Sequence, residues 1–192
     1  MNKIKNNKFF PFIFIIILSV VICAPLFTLN LYEYNEARIH LARILAIDEV
    51  IKEGIFPPII NYKFMNGFGY ALNLFYGPLT TYLPIIFLNI FGSAGVAFKV
   101  FTLLTVIFSG ITMYNFVFEV TKRRSMALIS ALIYISAPYK LSDIYFRDAI
   151  GEYTAFIFIP LVFQGLYNII QNKKCKSFLL AIGIIGLVLS HT

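Results

Sequence analysis

VAFKVFTLLTVIFSGITMYNFVF, residues 96–118, holds a single charge, Lys99, and is followed by Glu119 and then by Lys122-Arg123-Arg124. About 20 apolar residues in a helix cross a bilayer core, so this run is long enough to span. The basic triplet behind it marks the cytoplasmic side. Working outward, residues 9–31 and 153–170 are also long and apolar, while 78–91, 126–139 and 178–190 are shorter. The chain is 59% hydrophobic with a mean hydropathy of +0.82, against about 45–50% apolar in soluble domains. No stretch alternates as a strand does. The expected fold is therefore all-α: one polytopic membrane domain over 1–192. Its spans are expected near 9–31, 96–119, 126–141, 153–170 and 178–191, with outer interfacial helices near 36–53 and 78–91.

Lys3, Lys5 and Lys8 before residues 9–31 imitate a signal peptide. The apolar run is too long for one and Cys23-Ala24-Pro25 is a poor cleavage site, so it reads as an uncleaved first helix. Three basic groups orient the chain: Lys3/Lys5/Lys8, Lys122/Arg123/Arg124 and Lys173/Lys174/Lys176. All should face the cytoplasm of a multi-pass cell-membrane protein with its N-terminus inside. An even number of crossings must then separate them, so one of the three apolar segments before Lys122 does not span. Residues 78–91 are short, contain Pro84 and end in Gly92-Ser93-Ala94-Gly95, which reads as a re-entrant or interfacial helix on the outer side. This topology leaves nine Lys/Arg and one acid (Glu119) inside, with seven Lys/Arg and eight acids outside. The net charge of +7 thus reflects the inner leaflet and implies membrane lipid rather than nucleic acid as its partner. Cys23 and Cys175 fall in a helix and an inner loop and form no disulfide framework. The chain stops at His191-Thr192, the tip of its last helix, which reads as the N-terminal part of a longer protein.

The outer side carries two polar groups. In the first loop a helix from Glu36 to Glu53 is ended by Gly54 and Pro57-Pro58. Glu36, His40 and Arg43 fall within an arc of about 60°, on the face continued by Ile44, Ile47, Val50 and Ile51. Arg38, Asp48, Glu49, Lys52 and Glu53 should project from the opposite side. A local Glu36–His40 pair is the plain reading; a site lined by a carboxylate and two donors is the sharper one. Residues 61–82 are rich in Tyr, Phe and Gly, as an interfacial aromatic belt is, with sugar stacking or a lipid-tail groove as the alternative. Gly67-Phe68-Gly69 is a turn signal only. In the second loop, Asp143, Arg147, Asp148 and Glu152 form two i, i+4 pairs that would share faces on a helix. Three acids face one Arg unless Lys140 helps. A structural salt bridge accounts for part of this; a raised carboxyl pKa or a bound divalent cation would resolve the rest. Gly151 reads as a bend presenting Glu152, and His191 as a polar cap or a further site residue. No nucleophile–base pair, zinc spacing or phosphate-binding glycine loop is present.

Several motifs follow one another along the chain: Glu36-x-x-x-His40-x-x-Arg43, Gly54-Ile55-Phe56-Pro57-Pro58, Gly67-Phe68-Gly69-Tyr70 and Phe75-Tyr76-Gly77-Pro78-Leu79. They continue in Pro138-Tyr139-Lys140-Leu141-Ser142-Asp143-Ile144-Tyr145-Phe146-Arg147, Gly151-Glu152 and Leu189-Ser190-His191. Together they resemble the N-terminal region of bacterial 6-pyruvoyl-tetrahydropterin-synthase-related membrane proteins, close to the YfhO-like group. The label does not imply pterin chemistry. The architecture resembles GT-C glycosyltransferases, and that resemblance implies a polyprenyl-phosphate sugar donor and a glycan or lipid acceptor at the outer face. It implies Glu36 as base, oriented by His40, where the class usually carries Asp. It implies Arg43, Arg147 and Lys140 against the lipid phosphate, and Asp143 and Glu152 on the acceptor or on a divalent cation, with His191 nearby. Both clusters should then line one cavity beneath residues 78–91. The alternatives are a non-catalytic scaffold and a transporter or flippase-like protein. A transporter would be expected to carry acids in the middle of its spans, and the sequence places none there.

Overall fold

The computed structural model describes residues 9–28, 35–71, 76–173 and 176–191. Among these the chain is helical, with one isolated bridge, Asn61 to Tyr70, and no strand. The helices are α1 (Phe10–Cys23), continued by a 3-10 turn Ala24–Thr28, α2 (Asn35–Lys52), α3 (Leu79–Phe91) and α4 (Ala94–Thr121). They go on as α5 (Arg124–Ile135), α6 (Pro138–Tyr145), α7 (Ile150–Ala155), α8 (Ile159–Ile170) and α9 (Phe178–Ser190). Three helical stretches are long and apolar enough to cross a membrane: Phe10–Thr28, Ala94–Thr121 and Ile150–Ile170; α3 and α9 are shorter. The helical membrane fold is as the composition implies.

The stretch 126–141 is not one rod. It breaks after Ile135, where Ser136 Oγ bonds the Leu132 carbonyl at 2.8 Å and Pro138 opens the next helix. Proline lacks the N–H a continuous helix needs, and the serine satisfies a carbonyl left over. α4 is the axis of the bundle: α1, α3, α5, α7 and α8 all pack on it. Ile15 and Ile135 meet at Gly110 in its middle. α8 and α9 form a close hairpin in which Gly165 lies against the Leu180 backbone, the small-residue contact that lets membrane helices approach.

One end of the bundle is defined by charge. There Glu119 accepts from Lys173 (2.6 Å), Lys122 (3.1 Å) and Lys176 (3.4 Å), tying the α4–α5 turn to the α8–α9 turn. Phe10 and Pro11, at the start of α1, line a cleft there with Arg124 and Ser125. The second and third basic segments therefore share one end with the start of α1; Lys3, Lys5, Lys8 and Lys174 lie outside the described residues. The other acids among the described residues lie away from this end, in α2 and the turn after it and around α6 and α7.

α2 and α3 lie side by side. Leu41, Ile44 and Ile47 are buried, as the apolar face of α2 requires. Asp48 departs from the expected outward side: it is buried and accepts from Asn89 Nδ2 at 2.9 Å and Lys52 Nζ at 2.6 Å. The reason is that α3 covers the flank of α2 as well as its apolar stripe, and Asn89 offers the carboxylate a partner.

Candidate functional site

Phe98 lies 21 residues before Glu119 on α4, about 31 Å along a helix, which is the thickness of a bilayer core. The His40 ring stacks on Phe98 with centroids 6.4 Å apart. The α2 polar face therefore lies about one bilayer-core thickness along α4 from Glu119.

Arg43 is 3% exposed. Its Nη1 bonds His40 Nδ1 at 3.2 Å, its Nη2 donates to Thr81 Oγ1 at 2.8 Å, and its guanidinium lies 4.2 Å from the Tyr76 ring centroid. Its Nε has no partner. No carboxylate pairs with it among the described residues, although a buried cation ordinarily requires one. Burial holds its pKa down to about 10, so it remains a cation at neutral pH. Burial, then Arg43, press His40 down to about 3. His40 is thus neutral and accepts from Arg43, so it orients Arg43 where the family resemblance had it orienting Glu36. Glu36 itself is exposed and lines a cavity of about 410 Å³ with His40, Arg43, Tyr70 and Tyr76.

The second loop makes a closed network. Arg147 Nη2 bonds Glu152 Oε1 at 2.5 Å, and Nη1 bonds Asp143 Oδ1 at 2.8 Å and Glu152 Oε2 at 3.0 Å. Tyr139 donates to Glu152 Oε2. Glu152 and Arg147 thus meet as a two-pronged pair, the strongest form of this contact. Asp143 is buried with Oδ2 unpartnered; burial and Glu152 raise its pKa against the pull of Arg147. No group of three His, Cys, Asp or Glu able to hold a metal ion stands together among the described residues. Arg147 bridges Asp143 Oδ1 and both oxygens of Glu152, which leaves Asp143 Oδ2 alone and makes the pair a poor fit for a divalent cation.

The two loops meet. Asp148 does not pair with Glu152 as a helix would allow. It stands before α7 with φ +49°, and its carboxylate accepts the Ala37 backbone N–H in the first turn of α2. A carboxylate there complements the free N–H groups and the helix dipole. Tyr76 lies within electrostatic reach of Arg43, Glu36 and Glu152. Glu152 also feels His191. A Cβ on Gly151 would lie 2.9 Å from His191 Cδ2, so only glycine allows that approach. Glu36, His40, Arg43, Arg147, Glu152 and His191 are therefore brought to one end around Tyr76 and Asp148.

Lys140 is not part of this group. It is fully buried, donates to Ser109 Oγ, and lies 5.3 Å from the Phe156 and 5.7 Å from the Tyr134 ring centroids. The break before Pro138 turns it inward, so it cannot neutralise the outer acids. From the sequence Asp148 read as a partner on the face of Glu152, and Tyr76 as one aromatic of the loop, neither as a contact between the two loops. Asp148 gains its role from a left-handed backbone, and Tyr76 was indistinguishable from a belt aromatic.

Asp148 gives the site a pH dependence. Burial, then the negative charge of Glu36, raise its carboxyl to about 6; Ala37 N–H opposes them, and Tyr153 is the other titratable neighbour. A folded pKa above the unfolded one means the folded state holds the proton more tightly. That stabilisation is full below about pH 4 and lost as pH rises through about 6. His40, held neutral by burial, gains stability over the range where Asp148 loses it, so the Asp148 share is read as the difference between wild type and a variant without the carboxyl. Asp148→Asn keeps an acceptor for Ala37 and removes the charge. It should melt higher than wild type at pH 7.5, with the gap closing toward pH 5. An unchanged profile in Asp148→Asn would exclude Asp148 as its source.

An all-helical membrane bundle with a polar site at one end defines the class. Residues 74–192 match the family described as 6-pyruvoyl-tetrahydropterin synthase related domain, membrane protein, and the chain belongs to that family. It is also 27% identical, over its whole length, to an uncharacterized protein of Lactococcus lactis subsp. cremoris (strain MG1363). The chain spans about a third of that relative's length (32%). No solved structure matches it.

Proposed function

We propose that the acid-bearing end faces outward from the cell membrane, with the N-terminus in the cytoplasm, and handles a lipid-linked phosphate as a GT-C-like glycosyltransferase does. The observation that carries this reading is Arg43: a buried cation with no acid paired to it among the described residues, beside an exposed carboxylate. In this reading an acceptor hydroxyl attacks the anomeric carbon of a polyprenyl-phosphate sugar. The bond from that carbon to the phosphate oxygen breaks, the lipid phosphate leaves with the electron pair, and the hydroxyl proton passes to Glu36. Arg43 meets the charge that develops on the leaving phosphate. Arg147, already saturated by Asp143 and Glu152, holds the second loop in place. Transfer is tested in membranes containing the protein, with a labelled polyprenyl-phosphate sugar and a glycan or lipid acceptor. Label should move to the acceptor. No transfer with any lipid-linked donor would favour a non-catalytic scaffold.

One observation favours the transporter alternative. Ser109 lies about 15 Å from Glu119 along α4, so Lys140 places an ionisable group near mid-membrane. Such groups commonly mark ion or substrate paths. If Lys140 serves transport, Lys140→Met should abolish lipid-sugar translocation in vesicles. If it is structural, translocation and transfer should stay within about twofold of wild type, because an apolar isostere is tolerated in place of a buried charge.

A further inference from the structure

A second cavity of about 350 Å³ lies on the other side of Arg43, lined by Phe56, Pro57, Pro58, Ile59 and Tyr82. Arg43 and Tyr76 border both cavities, so the guanidinium stands in the partition between them. The two chambers differ in kind. One carries Glu36 and His40; the other is almost wholly apolar apart from Arg43 and Thr81. The loop that supplies this lining is apolar on its surface. Phe68 is 94% exposed and Phe56 72%, and Ile55, Ile59, Ile60 and Met65 on the same loop are exposed as well. Exposed apolar side chains concentrated on one segment mark a contact surface. Tyr62 and Tyr70 near its end are exposed too, a residue type that anchors a segment at a lipid headgroup layer. The loop lies against both outer helices: the Phe56 ring packs on Tyr82 of α3 with centroids 5.9 Å apart, and Lys63 reaches Glu49 of α2 at 3.5 Å.

We propose that the 55–70 loop dips into the outer leaflet and that the proline-lined cavity opens into it, taking the apolar arm of a membrane lipid phosphate whose anion rests on Arg43. The occupant follows from charge and polarity together. Among the described residues no carboxylate pairs with Arg43, and its Nε is unpaired; the chamber beside it is lined mainly by apolar side chains. A lipid phosphate supplies the anion and the apolar arm in one molecule, and leaves its polar substituent facing Glu36. This inference rests on the proposed lipid-phosphate chemistry and adds where the lipid arm lies and how it arrives.

The chain contains no Trp, so single-Trp reporters are clean. Phe56→Trp in phosphatidylcholine nanodiscs should shift its emission saturably with farnesyl phosphate. Farnesol, which lacks the anion, and the Arg43→Gln background should each weaken the response at least about tenfold, the worth of a charge-assisted hydrogen bond. Arg43→Lys should fall between them. Phe68→Trp should lose most of its fluorescence to bromine-labelled lipids, and equally so in the Arg43→Gln background, which shows that this variant is folded. Equal binding of farnesol and farnesyl phosphate, unchanged binding in Arg43→Gln, or an unquenched Trp at 68 would overturn the proposal. Sugar transfer without farnesyl phosphate binding at the reporter would sink this inference alone. Binding without transfer would sink the enzymatic reading alone.

Discussion

Glu36→Gln is expected to cut sugar transfer by about 10²–10⁴-fold, the usual contribution of a general base. The substitution keeps the size and the hydrogen-bonding capacity of the side chain and removes its proton affinity. Glu36 is exposed at the mouth of its cavity, so the change leaves no buried group unsatisfied and insertion into the membrane should be normal. The loss should appear in kcat with KM little changed, because the base acts on the acceptor proton in the transition state. Undiminished transfer would remove Glu36 from the mechanism and leave Asp148, its buried neighbour, as the next carboxylate to test.

Arg43→Gln should lower transfer by about 10²–10³-fold, comparable to losing one preorganised donor to a developing anion. The geometry separates the two arginines. Arg43 faces His40, Thr81 and a tyrosine ring, all neutral, whereas Arg147 is held by two carboxylates. Arg147→Lys would lose the fork on Glu152 and loosen the second loop, yet it should cost transfer less than Arg43→Gln. The reverse order would move the phosphate to the second loop and assign Arg43 a packing role.

Much of this arrangement was legible in the residues. The apolar runs and the basic segments gave a helical bundle, and the i, i+4, i+7 spacing put Glu36, His40 and Arg43 together because helical periodicity is a local property. The pairing of Asp143 with Arg147 is local in the same way. What could not be read depends on backbone breaks and on neighbours distant in the chain. The stop at Ser136-Ala137-Pro138 turns Lys140 into the bundle, which a count of charges by loop assigns to the outside. The left-handed backbone at Asp148 carries its carboxylate to the start of α2, more than a hundred residues upstream, instead of along a helix to Glu152. Asp48 was placed outward by helix phase, and the width of the α2–α3 contact buries it. In each case a tertiary neighbour overrides what the local pattern specifies.

The central claim is one outward-facing site that takes a lipid phosphate, and labelling of a single thiol tests its sidedness and its occupancy together. The chain is made with Cys23 and Cys175 replaced and Glu36→Cys introduced, in intact cells. The expected result is rapid modification by a membrane-impermeant thiol reagent, slowed several-fold by farnesyl phosphate and unaffected by farnesol. Modification only after the membrane is opened, or a rate indifferent to the lipid phosphate, would contradict it.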